Sequence, residues 1–499
     1  MTDSGIARPL PDGPVLSSGR RVRGRARSYV VDKPLIAGAI AIFAILAIVY
    51  TFSIGIWATA GASITADEPF YLLTTQSIIH DRDLDLNNQY ATRSYTEFFD
   101  HRDGLWRQSV PAENGRLLSP HNPGLPLLLV PGYLAGRLAG AQAQMLLITA
   151  ATFAFTYVLA ARLTDRHGLS FLATLGIGIT PTAFVYSTEL YPEVPAALTL
   201  VLGLLIVTRQ GRPGVRDAIA LTVLLSAMMW LGVKYAPLGL ITALVFLVRG
   251  NGNARYVFLA ASAASGIYFA WFHLETYGGL TPYAVNVIYA GGTSTEIIEQ
   301  HLALTDRFYR IWGLFIDGRF GLARWAFIVF PAVAGLALLP WHGWRHHVVL
   351  VLISTQLLIA TFVAITMMGW WFPGRTLAVV LPLLVIPLTL LLAELPTKLR
   401  WIAGLLGAHT VATTFALAHA GHAREIRLAV NPFEMNSPVY QGIVWLFPNY
   451  TAWDAHTWVT TVAWQLAAIL TLGVVTATQR RRRGTISSVS VPAVWVDRG

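Results

Sequence analysis

The stretch that decides the fold lies near the start of the chain and reads PLIAGAIAIFAILAIVYTFSIGIWATA (34–60), then GASITADEPFYLLTTQSIIH (61–80). Residues 34–60 contain no Asp, Glu, Lys or Arg, and about 20 apolar residues are enough to cross a bilayer. A basic segment, which ends at Lys33, precedes them. Because the apolar run is longer than the core of a signal peptide, we predict a retained transmembrane anchor that is followed closely by an acidic pair, Asp67-Glu68.

The composition of the whole chain agrees with this prediction. Of 499 residues, 55% are hydrophobic and 12% are charged, about half the charged fraction of a soluble globular protein. The mean hydropathy is +0.54. A single soluble domain is therefore excluded, and we expect an all-α polytopic membrane protein. The chain has no cysteine, which excludes disulfides, zinc-thiolate sites, iron–sulfur clusters and thiol nucleophiles.

Eleven further apolar stretches bring the predicted transmembrane helices to about 12. With the N-terminus in the cytoplasm, the inner segments carry 22 of the 36 Lys and Arg residues but only 7 of the 26 Asp and Glu residues. The positive-inside rule predicts this distribution, so the net charge of +10 does not indicate a nucleic-acid partner. The stretches are 141–162, 168–187, 191–208, 217–233, 235–248, 256–273, 320–340, 346–367, 374–393, 401–419 and 456–477.

The same topology predicts the domain organisation. A transmembrane domain (34–478) is flanked by basic cytoplasmic tails (1–33 and 479–499), and Gly484–Gly499 is predicted to be disordered. Three large loops face outward: 61–140, 274–319 and 420–455. One apolar stretch, Gly124–Gly140, is too short and too rich in proline for a span. If it were counted as a span, every later segment would change sides, and the later basic segments would face outward. We predict that it lies in or dips into the outer face.

The acidic pair is the first candidate for chemistry. Asp67 and Glu68 fit a general base or a metal ligand at the water–lipid boundary, but they also fit the first turn of a helix that begins with Pro69. The D-x-D-x-D sequence of Asp81, Asp83 and Asp85 resembles a metal-binding motif of soluble nucleotide-sugar sites. In an outer loop, a solvated turn is the favoured interpretation.

Further ionisable residues fall at the same predicted membrane face. His121 suits phosphate binding or proton transfer, and Glu189 and Glu193, four apart, would share a helix face. Lys234-Tyr235 and Arg375 offer cations to an anion, although both cations also suit interfacial snorkelling. A charged cluster, Asp317, Arg319 and Arg324, lies on that side too. A site there would receive a lipid-anchored anion from the bilayer and a polar partner from water.

The order of these motifs resembles that of GT-C-type glycosyltransferases. The matching elements are the basic N-terminus and single span, Asp67-Glu68-Pro69, the run Phe70–His80 and Ser119-Pro-His-Asn-Pro-Gly124. Protein O-mannosyltransferases and lipid A aminoarabinose transferases are similar, and the resemblance covers roughly residues 35–395. The family commonly has Pro-Pro-Leu after its histidine, whereas this chain has Asn122-Pro123-Gly124-Leu125.

The resemblance implies a GT-C-like fold with juxtamembrane helices on the outer face and an inverting transfer from a polyprenyl-phosphate-sugar donor to a hydroxyl of a glycan, lipid or protein. It implies that Asp67 is the general base and that Lys234 and Arg375 receive the leaving phosphate. Glu68, Glu189 and Glu193 would bind sugar or acceptor hydroxyls, or a divalent cation. His121 and Tyr235 complete the expected substrate-binding set.

Two other functions compete with this one. A secondary transporter or flippase of a lipid-linked anion would place charges near the bilayer midplane on paired repeats. A polyprenyl-diphosphate-dependent ligase or polymerase would need cations for two phosphates, for which Arg319 and Arg324 are candidates. The Ala-, Arg- and Gly-rich composition suggests a high-GC bacterium, in whose plasma membrane decaprenyl-phosphate arabinose or mannose would be natural donors.

Overall fold

The computed structural model describes residues 33–112, 114–287, 290–293, 296, 299 and 304–488. Within these ranges the chain is helical and forms no β-strand; two isolated β-bridges pair Thr59 with Ala62 and Asp85 with Leu118. The predicted all-α class is therefore confirmed. Nearly all of the N-terminal tail and residues 489–499 lie outside the described ranges, so the predictions made for them are not addressed.

Twelve helices of ten or more residues occur in the described part of the chain. They are α1 (Lys33–Thr51), α2 (Glu68–His80), α3 (Gly124–Thr164), α4 (His167–Gly178), α5 (Glu193–Val207), α6 (Val215–Leu231), α7 (Ala236–Arg249), α8 (Gly252–Tyr277), α9 (Trp344–Leu358), α10 (Val385–Glu394), α11 (Thr397–His422) and α12 (Ala455–Ser488).

Six helical segments of the described chain are long and apolar enough to cross a membrane: α1, α3, α8 with its continuation to Asn286, α9 with its continuation to Val363, α11 and α12. Shorter apolar helices lie among them, at α4, α5, Val329–Trp341 and Leu381–Glu394. The protein is therefore embedded in a membrane.

Several boundaries differ from the predicted spans. The first helix ends at Thr51, and turns replace the predicted continuation to Ala60. The predicted span 320–340 is divided into Leu322–Trp325, Val329–Gly335 and a 3₁₀ segment at Leu336–Trp341. Conversely, α12 continues to Ser488 and thus includes part of the segment predicted to be a disordered tail. Apolar composition marks membrane depth, but it does not reveal where a helix breaks.

The stretch predicted to lie at the outer face forms the first arm of a helical hairpin. Backbone angles leave the helical range at Gly136 and Arg137, and the chain reverses there. The Gln144 side chain then bonds across the hairpin: its Nε2 donates to Leu128 O (2.6 Å), and its Oε1 accepts from Gly132 N (2.8 Å). Residues 124–135 therefore lie alongside the start of the following helix.

The core that positions the site is built from the first half of the chain. Helix α1 packs on α3, α3 on α5, α5 on α6, and α6 on α8, while α2 packs on α3. Buried Leu, Ile, Phe and Ala side chains fill these contacts. In α2, all residues from Glu68 to Ser77 are buried, so this helix is a fixed element of the core.

Candidate functional site

The two carboxylates of the acidic pair point in different directions. Ala66 adopts a left-handed backbone conformation (φ 53°), which is strained for a residue with a Cβ and reverses the chain just before α2. The Asp67 side chain lines a cavity. Glu68 is only 1% exposed, and its two oxygens accept hydrogen bonds from Thr65 N and Leu190 N (2.9 Å each). These adjacent residues therefore have different surroundings: Asp67 faces the cavity and Glu68 faces the backbone of the core.

A chain of alternating charges crosses the cavity wall. Arg375 Nη2 lies 2.7 Å from Asp67 Oδ2, and its Nε lies 3.2 Å from Glu193 Oε1. Lys234 Nζ lies 2.7 Å from the same Glu193 oxygen. Four residues that are far apart in sequence are thus joined by ion pairs, and Glu193 holds both cations on one side of the cavity. Its second oxygen is buried and, among the described residues, has no hydrogen-bond partner.

Arg375 is fixed by aromatic contacts as well as by carboxylates. Its guanidinium carbon lies 3.9 Å from the centroid of the Tyr191 ring and 5.3 Å from that of Trp371. Gly374, directly before it, has φ 91°, and a Cβ there would lie 2.8 Å from the Thr182 side chain. Only glycine fits this position without strain, so the turn that presents Arg375 depends on it.

His121 lies near Asp67 Oδ1, the carboxylate oxygen that does not contact Arg375 Nη2. Its Nε2 lies 2.7 Å from Gln108 Oε1 and 3.7 Å from Asp67 Oδ1, and its ring packs against that of Tyr71 with centroids 4.9 Å apart. Burial lowers the pKa of His121 even though Asp67 opposes this shift. At neutral pH the imidazole is therefore uncharged, and it can donate a hydrogen bond from one ring nitrogen and accept one at the other.

Asp67 is held in its ionised form. Burial would raise the pKa of its carboxyl, but the charges of Arg375 and Lys234 and the hydrogen bond from Arg375 outweigh burial and hold the pKa below the usual aspartate range. As long as Arg375 is bound to it, Asp67 is a weak base. A ligand that draws Arg375 away would raise its basicity.

These groups line one cavity of about 490 Å³. Apolar and aromatic side chains form much of its wall, and its Lys and Arg residues are Lys234 and Arg375. Tyr235 also lines it, with a buried hydroxyl that has no hydrogen-bond partner in the described part of the chain. Five predicted site residues besides Asp67 are therefore at the cavity: His121, Glu193, Lys234, Tyr235 and Arg375.

The other two predicted residues lie behind the cavity wall. Glu68 and Glu189 are buried and do not line the cavity. Burial raises the pKa of Glu68 to about 7 and that of Glu189 well above its usual range. Glu68 accepts hydrogen bonds from two backbone N–H groups, which stabilise a carboxylate, whereas Glu189 Oε2 has no described partner. Of these two buried glutamates, Glu189 is therefore the neutral one.

The expectation that Glu189 and Glu193 share a helix face is wrong. Helix α5 begins at Glu193, after Pro192 as its N-cap, and Glu189 precedes that helix. The two carboxylates consequently face different partners. Glu193 meets the cations of the cavity, whereas Glu189 lies among buried residues near Glu68.

The three aspartates of the D-x-D-x-D sequence stabilise turns. Asp81 accepts from Gln89 Nε2 (2.6 Å), Asp83 from the Ser77 hydroxyl (2.7 Å), and Asp85 from Leu117 N (2.8 Å). Among the described residues, no group of three or more His, Asp or Glu side chains is arranged to hold a metal ion. The solvated-turn interpretation therefore accounts for these aspartates.

The charged cluster of Asp317, Arg319 and Arg324 contacts backbone groups and aromatic rings of the protein itself. Asp317 accepts from the backbone N–H groups of Arg319, Phe320 and Tyr450. Arg324 is fully buried, donates to Tyr440 O (2.7 Å) and stacks 3.6 Å above the Tyr440 ring. Neither Arg319 nor Arg324 lines the cavity that contains Asp67.

Three uncharged residues that line the cavity or contact its lining residues were not identified from the sequence. Gln108 orients His121, Tyr191 supports Arg375, and Gln356 lines the cavity with a buried Oε1 that has no described partner. Because they are uncharged, they do not stand out among the ionisable residues from which the site was predicted. Trp371 fits an interfacial aromatic belt by sequence, but it lines the cavity beside Arg375, whereas Trp370 is 64% exposed.

The architecture is similar to that of a solved membrane enzyme. The crystal structure of ArnT from Cupriavidus metallidurans bound to undecaprenyl phosphate superposes with a TM-score of 0.50 over 89% of this chain and 72% of that chain, at 16% sequence identity. ArnT is a GT-C lipid A aminoarabinose transferase. No protein-family model matches the sequence, and the comparison with curated proteins found no match. The chain thus has a GT-C-like fold, as the sequence motifs predict.

Proposed function

We propose that the protein is an inverting glycosyltransferase that transfers a sugar from a polyprenyl-phosphate donor to a hydroxyl acceptor of the cell envelope. The observation that carries the proposal is the ion-paired set of Asp67, Arg375, Glu193 and Lys234 in one cavity of a GT-C-like fold. It combines a carboxylate that can accept a proton with two cations that can receive a phosphate. The similar structure of ArnT, which was solved with undecaprenyl phosphate, supports a lipid-phosphate donor.

The reaction follows from this geometry. The donor phosphate competes with Asp67 for the Arg375 guanidinium, which can form two hydrogen bonds to phosphate oxygens. Asp67 loses its strongest partner and becomes a better base. It then takes the proton of the acceptor hydroxyl while that oxygen attacks the anomeric carbon. The bond from this carbon to the phosphate oxygen breaks, and its electrons stay on the polyprenyl phosphate, beside Lys234 and Arg375. A single displacement inverts the anomeric configuration.

The cavity favours a monophosphate donor over a diphosphate. Its Lys and Arg residues are Lys234 and Arg375, and Glu193 already binds both. Arg319 and Arg324, the candidates for a second phosphate, are engaged elsewhere. We further propose that the cavity opens to the outer face of a bacterial plasma membrane with both termini in the cytoplasm, as the positive-inside distribution of charge predicts. Arabinose and mannose are the proposed sugars.

A divalent cation fits these residues poorly. At the cavity, Asp67 and Glu193 already pair with guanidinium and ammonium groups, while Glu68 accepts backbone N–H groups outside it. No step of the proposed reaction needs a metal. We expect turnover to be unchanged when EDTA is added to the purified enzyme. Activity that disappears with EDTA and returns with Mg²⁺ or Mn²⁺ would contradict this prediction.

The central test is donor turnover by the purified protein in lipid nanodiscs. Labelled polyprenyl-phosphate sugars, including arabinose and mannose donors, are supplied with candidate acceptors, and polyprenyl phosphate release is followed. Asp67→Asn keeps the shape of the side chain but removes the base, so we expect turnover to fall at least about 10²-fold. The matched control is Asp103→Asn, because Asp103 is a solvent-exposed aspartate outside the cavity. Full turnover by Asp67→Asn would exclude Asp67 as the base. If the unaltered protein neither bound any donor nor released polyprenyl phosphate from it, the proposed function would be contradicted.

A further inference from the structure

A second cavity lies next to the one that contains Asp67. It has a volume of about 460 Å³; its charged lining residues are Arg82, Asp83 and Arg116, and its aromatic lining residues are Trp230, Tyr268 and Phe272. The two cavities are separated by a thin wall. Asn122 and Leu231 line the Asp67 cavity, and their sequence neighbours Pro123 and Trp230 line the second one. We call this second space the arginine cavity.

Among the described residues, the two arginines of this cavity have no anionic partner. Within the described residues, neither guanidinium makes a hydrogen bond or an ion pair, and Arg116 Nε is buried without an acceptor. Asp83, the one carboxylate among the described lining residues, is engaged in a local turn, where its Oδ1 accepts from the Ser77 hydroxyl (2.7 Å) and from Asp85 N (3.1 Å). The described lining therefore has a net positive charge and unused guanidinium donors, a combination that suits an oxyanion.

One side of the arginine cavity opens to the lipid-facing surface. Leu127 and Tyr268 line the cavity and are 50% and 53% exposed. Tyr268 belongs to α8, a candidate membrane span whose neighbouring Ile267 and Trp271 side chains are also exposed. The cavity lies near the C-terminal end of this helix, which stops at Tyr277. Lipid phosphates lie at the depth where spans end, and aromatic side chains gather there.

We propose that the arginine cavity binds the phosphate headgroup of an anionic bilayer lipid. Arg82 and Arg116 would donate to the phosphate oxygens, and an acyl chain would run along Leu127 and Tyr268 into the bilayer. Basic pockets between transmembrane helices recognise lipid headgroups in this way. This site is distinct from the donor site of the proposed function, because it shares no lining residue with the Asp67 cavity.

The test compares lipid retention and does not depend on turnover. The full chain is reconstituted in nanodiscs of phosphatidylcholine with or without phosphatidylglycerol, and lipids that remain bound after detergent extraction are counted by native mass spectrometry. We expect selective retention of phosphatidylglycerol by the unaltered protein and a loss of about tenfold or more in Arg82→Gln/Arg116→Gln. Arg82→Lys/Arg116→Lys, which keeps the charge but not the forked donors, should show an intermediate loss.

The matched control is Arg93→Gln/Arg102→Gln, which removes the same charge from two exposed arginines of the same loop outside the cavity. This control should retain phosphatidylglycerol as the unaltered protein does. Equal retention by the control and by Arg82→Gln/Arg116→Gln would overturn the proposal. Displacement of the lipid by an equal concentration of inorganic phosphate would also overturn it, because the site would then recognise free phosphate without the acyl chain.

Discussion

At the scale of single residues, Arg375 connects the two halves of the proposed chemistry. It binds Asp67 and Glu193 through different nitrogens and stacks on Tyr191. The contacts therefore use both the separate N–H donors and the flat face of the guanidinium. Arg375→Lys keeps the charge but cannot bridge both carboxylates. We expect polyprenyl phosphate release to fall about 10²-fold. Arg424→Lys is the control, since Arg424 also stacks on an aromatic ring, that of Trp57, but is exposed and outside the cavity.

A second residue-scale prediction concerns Glu189. Burial raises its pKa well above the usual range, and that of Glu68 to about 7, so the folded protein favours the protonated form. Stability from this source is complete below the ordinary glutamate pKa and is lost as pH rises through the raised value. The thermal midpoint, measured at a fixed heating rate, should therefore fall between about pH 5 and pH 8.

The variant Glu189→Gln should flatten this dependence, because it replaces the neutral carboxyl by a neutral amide. Its donor turnover should stay close to normal, since Glu189 does not line the Asp67 cavity. Asp103→Asn, at an exposed position, should keep the normal slope. An unchanged slope in Glu189→Gln would show that this carboxyl is not the source of the pH dependence.

At the scale of elements, the helical hairpin of α3 depends on two glycines that touch. A Cβ on Gly140 would overlap the Gly132 carbonyl oxygen. Gly140→Ala must therefore separate the two arms, and we expect a loss of about 1–3 kcal/mol, seen as a lower thermal midpoint. Gly168→Ala is the control, because Gly168 lies in α4 with no atom near its absent Cβ; alanine there should be neutral or stabilising. Equal midpoints for the two variants would contradict a close-packed hairpin.

Elements also show where sequence reasoning succeeds and fails. Ionisable residues are rare inside membrane spans, so Lys234 and Arg375, at the ends of predicted spans, stand out in the sequence, as does the acidic pair that begins with Asp67. The structure brings Asp67, Lys234 and Arg375 together. That Asp67 lines the cavity while Glu68 is buried could not be predicted, because it depends on which side of the start of α2 packs against the rest of the bundle. Gln108 and Tyr191 act through tertiary contacts between distant segments, which local patterns do not encode.

At the scale of the whole molecule, the helical bundle brings the ionisable residues of the proposed site together in one region. The Asp67 cavity draws on residues between 67 and 376, so its assembly requires most of the bundle. The arginine cavity lies beside it. A lipid-linked donor and a polar acceptor can meet there only if that region faces the compartment in which both are present, and the orientation of the protein is therefore a condition for the proposed function.

The absence of cysteine makes this orientation directly measurable. Asp103 and Arg212 are both exposed and lie in loops predicted to be on opposite sides of the membrane. We expect Asp103→Cys to react in intact cells with a maleimide that cannot cross the membrane, and Arg212→Cys to react only after permeabilisation. The unaltered chain has no thiol and gives the background. Because Asp103 belongs to the loop that also carries Asp67 and His121, labelling of Arg212→Cys alone in intact cells would place that loop in the cytoplasm and contradict transfer at the outer face.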